Sequence, residues 1–340
     1  MNLKELSQKL GLSQTTVSRA LNGYPEVSER TRLRVQRAAD QHSYSPNTRA
    51  KGLATGQSMM VGHVFPPSHQ HEMVNPVFGD FVAGASQALA GVGYGMMFTR
   101  VRAEAEESDY KKLQSTGAVD GVVLHAPSVA DPRVPLLRKL GLPFVVHGRA
   151  SGIETPYSWV DVNNKRAFMR ATEFLIQLGH RRIALLNGLE HLDFATRRRT
   201  GYLDALAQAG IAADHAMITS HKMTESYGYE VMHQLLKGPQ PPTAVLVSSL
   251  ISALGVRRAI EELGLVMGRD VSVITHDDEL SYLPNGGDVP IFTATRSSVR
   301  RAGEAVAEFL IAQISDASGA PPTRLLEAEL ILGRSTGPAP

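Results

Sequence analysis

Apolar positions recur in two different rhythms along this chain, and the change comes near residue 59. Before it, the spacing is helical. Leu3, Leu6 and Leu10 predict a short amphipathic helix over 3–10. Gly11 stops it and supplies a tight turn. Ser13 is a suitable N-cap for a second helix over 14–22. Val17 and Leu21 lie one turn apart on the inner face of that helix, which leaves Gln14, Thr15, Ser18 and Arg19 pointing out. A third helix fits 29–42, with Ser28 as N-cap and Leu33, Val35, Ala38 and Ala39 as its apolar positions. Two short helices about a glycine turn, with a polar outer face on the second, form a helix-turn-helix.

From Met59 onward, short apolar runs alternate with amphipathic stretches. Strands are expected over 59–65, 95–99, 121–125, 143–147, 159–162, 183–187, 217–219, 244–248 and 272–275. Helices are expected between them, over 77–91, 108–117, 132–140, 166–179, 197–209, 227–236 and 253–263. This alternation predicts parallel sheets covered on both faces. The strands are too many for one compact sheet, and the natural break lies near 148–157. The expectation is two doubly wound lobes with a ligand at the strand carboxyl ends, in the cleft between them. The last quarter, with a strand over 292–294, a helix over 299–314 and an apolar run over 324–331, does not fit the second lobe by local reading.

Composition sharpens this picture. A chain of 340 residues has room for two or three full cores. The net charge of +2 hides an asymmetry: residues 1–60 carry nine Lys/Arg against four Asp/Glu, a net +5, and the remainder is net −3. A basic, exposed helix face is an electrostatic footprint for phosphate. Its residue types suit a major groove: Gln pairs with adenine, Arg binds guanine through two hydrogen bonds, and Thr offers a hydroxyl and a methyl.

Zero Cys removes disulfides and thiolate metal sites and suits a reducing cytoplasm. The opening MNLKELSQKL has no apolar run of the signal-peptide kind, and no apolar stretch reaches membrane-spanning length. His69-Gln70-His71-Glu72 imitates a metal cluster but lacks a third ligand at a standard spacing, and the glycines at 91, 93 and 95 read as a helix stop. With no phosphate loop, nucleophile elbow or zinc-hydrolase motif, neither an enzyme nor a cofactor is expected.

LSQTTVSRALNG, followed by YSPNTRAKGLATGQS, resembles the headpiece and hinge of the lactose/galactose repressor (LacI/GalR) family of bacterial transcription regulators. The resemblance implies an N-terminal all-α helix-turn-helix headpiece plus an α/β periplasmic-binding-protein-like core of two doubly wound parallel-sheet lobes. It places the headpiece at 1–45, a hinge helix or linker at 46–57 and the effector-binding core at 58–340. Three crossings of the chain would give lobe one about 58–156 and 287–316, and lobe two about 157–286 and 317–340. The implied partners are a double-stranded operator, a small-molecule effector (a sugar), and a second copy of the chain.

Gln14, Thr15, Thr16, Ser18, Arg19 and Asn22 would meet the major groove, with Asn47, Ala50 and Leu53 in the hinge. Leu53 would wedge into the central minor groove, as apolar side chains that kink DNA do. Gly52 beside it weakens the helix, which suits a hinge ordered only on DNA. Two hinges meeting there imply a dimer on a near-palindrome.

Effector contacts are expected at strand ends and crossovers. Asn75 and Phe78 follow the first strand, Arg149 ends PFVVHGR, and Trp159, Asp161 and Asn163 lie at the first crossover. Arg198 and Asp277 occupy positions of the family's effector-binding Arg and Asp, while Arg197 and Arg199 read as a solvated helix face. Guanidinium and carboxylate each take two hydrogen bonds from adjacent hydroxyls, which suits a polyol. Ser249 and Leu250 stand where many relatives carry Asn-Asp, so the polar contacts there are reduced. PFVVHGR and the headpiece wording are similar to members that respond to α-glucosides or related disaccharides. The alternatives are a purine-type corepressor and a sugar-binding module with no DNA role.

Overall fold

The computed structural model describes residues 1–21, 23–44, 56–65, 74–100, 105–316 and 318–340. The chain forms two compact units, one built on Met1–Met59 and one from Met60 to the end, apart from the short turn Thr116–Val119.

The first unit is three helices: α1 (Leu3–Leu10), α2 (Gln14–Leu21) and α3 (Glu29–Gln41). Asn2 and Glu5 cap α1 reciprocally, and Gly11 ends it in the left-handed conformation that glycine adopts at no steric cost. Ser13 Oγ accepts from the Thr16 amide at 3.0 Å, so the expected cap of α2 is present. Leu6, Leu10, Val17, Ala20, Val35 and Ala39 form the core, and Arg34 ties α3 to the Leu10 carbonyl at 2.7 Å. Leu33, expected in this core, is exposed. It lies about 160° around α3 from Val35, on the face opposite the buried stripe.

The second unit holds two six-stranded sheets. The lobe-one sheet contains β1 (Met60–Phe65), β2 (Gly95–Arg100), β3 (Gly121–His125), β4 (Phe144–His147), β5 (Ser158–Val162) and β11 (Thr323–Leu326), in the order β11-β5-β4-β3-β1-β2. The lobe-two sheet contains β6 (Ile183–Asn187), β7 (Ile218–Ser220), β8 (Ala244–Val247), β9 (Ser272–Asp277), β10 (Thr293–Arg296) and β12 (Glu329–Ile331), in the order β12-β10-β9-β8-β6-β7. Every pairing is parallel except β10 with β12. All parallel strands of a sheet therefore deliver their carboxyl ends to one edge.

Helices α4 (Pro76–Gly91), α5 (Glu106–Ser115), α6 (Arg133–Leu140) and α11 (Val299–Ser315) belong to lobe one. Lobe two has α7 (Asn164–Gln177), α8 (Asp193–Gln208), α9 (Glu225–Lys237) and α10 (Leu250–Glu262). Burial on both faces explains the near-continuous apolar strands: along β8, Val245 and Val247 pack with Val256 and Ile260, while Ala244 and Leu246 pack with Phe168 and Leu175.

The three crossings fall later than the resemblance placed them. β5 pairs in parallel with β4, Val145 opposite Ser158, so residues 158–162 belong to lobe one, and the chain leaves at Asn163 rather than near 156. β10 pairs with β9, so residues 293–296 belong to lobe two, and the return to lobe one comes at Ser297–Val299 rather than at 287. The apolar run at 324–331 is two strands on two sheets: β11 lies beside β5, β12 beside β10, and the third crossing is Glu327–Ala328 rather than 316–317. Helix α8 starts at Asp193, four residues before the expected 197, which brings Asp193 into its first turn.

Helices α4 and α11 approach through glycines. A Cβ on Gly84 would lie 2.0 Å from the Arg300 carbonyl oxygen, and one on Gly303 would lie 2.2 Å from that of Phe81. These contacts fix the helix that carries Asn75, Phe78 and Phe81. Gly303→Ala forces the pair apart and is expected to lower the unfolding free energy by about 1–3 kcal/mol. Urea denaturation measures this, with exposed Gly319, which has open space around it, as the control position for the same substitution.

Candidate functional site

Two surfaces can act chemically, one on each unit. On the first, Gln14, Thr15 and Arg19 are exposed, and Ser18 and Thr16 are partly so. Gln14, Ser18, Thr15 and Arg19 span about 140° of α2 at 100° per residue, opposite Val17 and Ala20. Thr16 sits at the edge of this face with its hydroxyl 2.8 Å from Ser13 Oγ, so it serves the helix cap. Asn22, Asn47, Ala50 and Leu53 lie outside the described residues, as do most of the hinge at 46–57 and the stretch His69–Glu72.

On the second unit, the strand ends of both lobes frame a cavity of about 240 Å³. Lobe one contributes Asn75, Phe78, Phe81, His125, His147, Arg149 and Asp161; lobe two contributes Asn164, Phe194, Arg198, Met223, Ser248, Ser249, His276 and Asp278. Asn75 caps α4 through its Oδ1, 3.1 Å from the Val77 amide. Ser249 caps α10 in the same way, at 3.2 Å from the Ile251 amide.

Arg198 is buried and held by neutral acceptors. Its Nε donates to Asn164 Oδ1 at 2.7 Å and its Nη1 to the Ser248 carbonyl at 2.6 Å, with the guanidinium carbon over the Phe168 and Phe194 rings. Burial pulls its pKa down to about 10, which keeps it charged at neutral pH. Asp278 faces it. Burial pushes the Asp278 carboxyl up, but His276, Arg198 and His147 together outweigh this and hold it below the usual carboxylate range. Burial lowers His147 to about 4 and also lowers His276, so both rings are neutral near pH 7.

A second group of ion pairs and hydrogen bonds joins the two lobes. Asp161 Oδ2 accepts from Arg149 Nε at 2.8 Å within lobe one and from Arg197 Nη1 of lobe two. Arg197 also pairs with Asp193 at 2.6 Å, and Asp193 accepts from the Ser151 amide of lobe one. At another point α4 supplies Asp80, which accepts from the Ser281 amide of lobe two at 2.8 Å and from Arg300 at 3.0 Å.

Several expected residues sit elsewhere. Asp277 points away from the cavity, bound to Arg296 Nε at 3.1 Å and to the Glu279 amide at 2.9 Å; its neighbour Asp278 lines the cavity instead. β9 continues through Asp277, and successive side chains on a strand face opposite sides. Trp159 lines an outer hollow and carries Arg149 over its ring at 4.8 Å. Asn163 caps α7 and donates to Glu327 at 2.8 Å, tying two crossings together, while Asn164 next to it lines the cavity. Leu250 is buried in the lobe-two core. Arg197, read from its Arg run as solvated, is mostly buried and bridges the lobes.

His125, His147, His276, Phe81 and Phe194 were not singled out by sequence. The only signal was a histidine closing each of the strands GVVLH and PFVVH. Among the described residues no group of three or more His, Cys, Asp or Glu is placed to hold a metal ion.

Comparison with known proteins decides the lineage. Residues 2–47 match the family of bacterial regulatory proteins, lacI family, and residues 172–336 match the periplasmic binding protein-like domain. The HTH-type transcriptional regulator AglR of Rhizobium meliloti (strain 1021) is 46% identical over 341 residues, covering 100% of this chain and 95% of that protein. The chain belongs to the LacI family. As a LacI-family protein it is a DNA-binding transcriptional regulator and not an enzyme. The solved complex of the transcriptional regulator CelR with cellobiose aligns with 98% of this LacI-family chain and 99% of its own, at 28% identity and a TM-score of 0.72. The lac repressor dimer bound to operator shares the fold over 99% of both chains, at a TM-score of 0.81 and 24% identity.

The buried carboxylate Asp161 gives the sharpest test of this geometry. Asp161→Ala removes the carboxylate that Arg149 and Arg197 share, leaving Arg197 with Asp193, and is expected to cost about 2–3 kcal/mol of stability in urea denaturation. Arg166→Ala, which removes an exposed pair with Glu327, is expected to cost at most about 0.5 kcal/mol.

Proposed function

We propose that this chain is a cytoplasmic operator-binding repressor that acts as a homodimer on a near-palindromic site and is released by a sugar of disaccharide or α-glucoside type. The observation that carries the reading is the cavity itself. A buried, charged Arg198 and an ionised Asp278 on lobe two oppose the Phe78 and Phe81 rings of lobe one. Fixed charges bind hydroxyl groups and aromatic faces take the C–H face of a pyranose, so the two walls together fit a polyol. The CelR relative holds cellobiose, a disaccharide, and this supports the class.

Gln14, Thr15, Ser18 and Arg19 are the base-reading set in this proposal, with Thr16 and Asn22 beside them and Asn47, Ala50 and Leu53 in the hinge at 46–57. The exposed face of α2 and the net +5 of residues 1–60 support the groove assignment. Arg149, Asp161, Arg198, Ser249, Asn75 and Phe78 remain effector residues, and Asp278 takes the role expected of Asp277. Effector binding alters the lobe-to-lobe pairs at Asp161 and Asp80 and thereby the headpieces; a coupling of a few kcal/mol is sufficient.

The test is fluorescence anisotropy at fixed salt with DNA from around the protein's own gene, titrated with disaccharides, α-glucosides and purines. One sugar is expected to release the DNA. Arg198→Ala and Asp278→Ala are expected to abolish release while sugar-free operator affinity stays within about twofold. Gln14→Ala and Arg19→Ala are each expected to weaken operator binding by about 1–3 kcal/mol. A ligand that tightens the complex reverses the sign of control, release by a purine overturns the sugar class, and absence of any salt-dependent binding overturns the operator reading.

A further inference from the structure

Three histidines of lobe one stand on adjacent strands in the order β1, β3, β4. His63 Nδ1 lies 2.9 Å from His125 Nε2, and His125 Nδ1 lies 3.4 Å from His147 Nδ1. His63 is fully buried, and His147 lines the cavity. Phe81 stacks on the His147 ring at 4.4 Å and meets the His125 ring edge-on at 4.7 Å, which fixes both planes. His63 packs against Phe98 at 5.3 Å and Phe81 at 6.1 Å. These surroundings are apolar, and burial pushes His63 down to about 3 and His147 to about 4, so both end rings are neutral near pH 7.

A neutral imidazole has one N–H and one lone pair. With two N···N contacts in series, only two proton orders satisfy both. In the first, His63 Nδ1–H donates to His125, His125 Nδ1–H donates to His147, and the His147 proton sits on Nε2. In the second, every proton moves to the other nitrogen, and the His63 proton sits on its Nε2. That atom is buried and makes no hydrogen bond. An orphaned buried N–H is the rarer and costlier end for such a chain than an orphaned lone pair. The first order is therefore favoured.

We infer that His63 and His125 form a one-way relay that makes His147 present an N–H, not a lone pair, to the cleft, so that this point selects a ligand oxygen that accepts. The ligand class rests on the sugar reading above; the relay does not. Asp278 across the cavity is ionised and can only accept. A hydroxyl can accept from His147 and donate to a carboxylate, whereas an ammonium group or a bare C–H at that point cannot do both. His147 is thus a specificity determinant, and His63, which does not line the cavity, is a positioning residue that sets its polarity.

Neutron diffraction from crystals of the perdeuterated full chain near pH 7 decides the relay without any ligand. Deuterons are expected on Nδ1 of His63, Nδ1 of His125 and Nε2 of His147. Deuterons on His63 Nε2 and His147 Nδ1, or on both nitrogens of one ring, overturn it. A second arm titrates maltose and cellobiose as probes against the full chain. His147→Leu is expected to weaken the probe that binds by about tenfold or more, and His147→Gln, which restores an N–H, by clearly less. Equal losses for both variants remove the specificity role. Failure of every sugar with the expected deuteron pattern counts against the sugar reading and leaves the relay standing.

Discussion

A carboxylate taken out of water must be met by positive charge, and at Asp161 that requirement spans two lobes. Its side chain is buried at the carboxyl end of β5, two residues before the chain leaves lobe one. Arg149 supplies one guanidinium from the same lobe, and Arg197 supplies the second from the other. Arg197 is in turn held by Asp193, whose carboxylate also takes the Ser151 amide. Opening the lobes would expose Asp161 to water but strip it of Arg197 and leave Asp193 without its lobe-one donor. The closed arrangement is therefore a balance between ion pairing and hydration, and such balances lie within a few kcal/mol of zero. A ligand that contacts both lobes needs only a modest differential affinity to tip it.

The rest of the cleft follows from parallel topology. Because all strands but one run the same way, their carboxyl ends and the helix N-termini that follow them gather at one edge of each sheet. Asn75 and Ser249 cap two of those helices with their side chains and line the cavity as they do so. The backbone donors at the helix ends are thereby partly satisfied by residues that also face a ligand. Glycine contacts between α4 and α11 hold Phe78 and Phe81 at a set height over the lobe-one strands, so the aromatic wall depends on residues 303 and 84 as much as on the rings.

Much of this was legible in the chain, and the failures have a common cause. Helix phases in the first unit and the alternation of strands and helices after Met59 are local properties, and they read correctly apart from Leu33. Which sheet a strand joins is not local. Residues 158–162 and 293–296 each changed lobes relative to expectation because strand pairing, not the apolar pattern, assigns them. The Asp277–Asp278 exchange is a one-residue slip at a strand end, where a period of two turns one residue into the opposite face. Arg198 was found through motif position, and Asp161 through its place at the first crossover beside Asn163. The histidines escaped because His at the end of an apolar strand has no distinctive spacing, and the link from His63 to His125 joins residues 62 apart.

The electrostatics of the cleft are unequal between its walls. Lobe two brings fixed charges: Arg198 held by neutral acceptors, and Asp278 kept ionised by the groups around it. Lobe one adds rings to Arg149 and Asp161, and burial keeps the imidazoles of His147 and of His63 behind the cavity uncharged. Charging His147 would place a cation on the same cavity as Arg198, and charging His63 would bury one beneath it among phenylalanines. With His147 neutral, the buried cation Arg198 faces Asp278 without a second positive charge from that ring. A polar chain that stays neutral can still impose direction, since each imidazole must choose which nitrogen donates. The imidazoles of lobe one are in this way able to discriminate hydrogen-bond polarity, while Arg198 and Asp278 supply the pull.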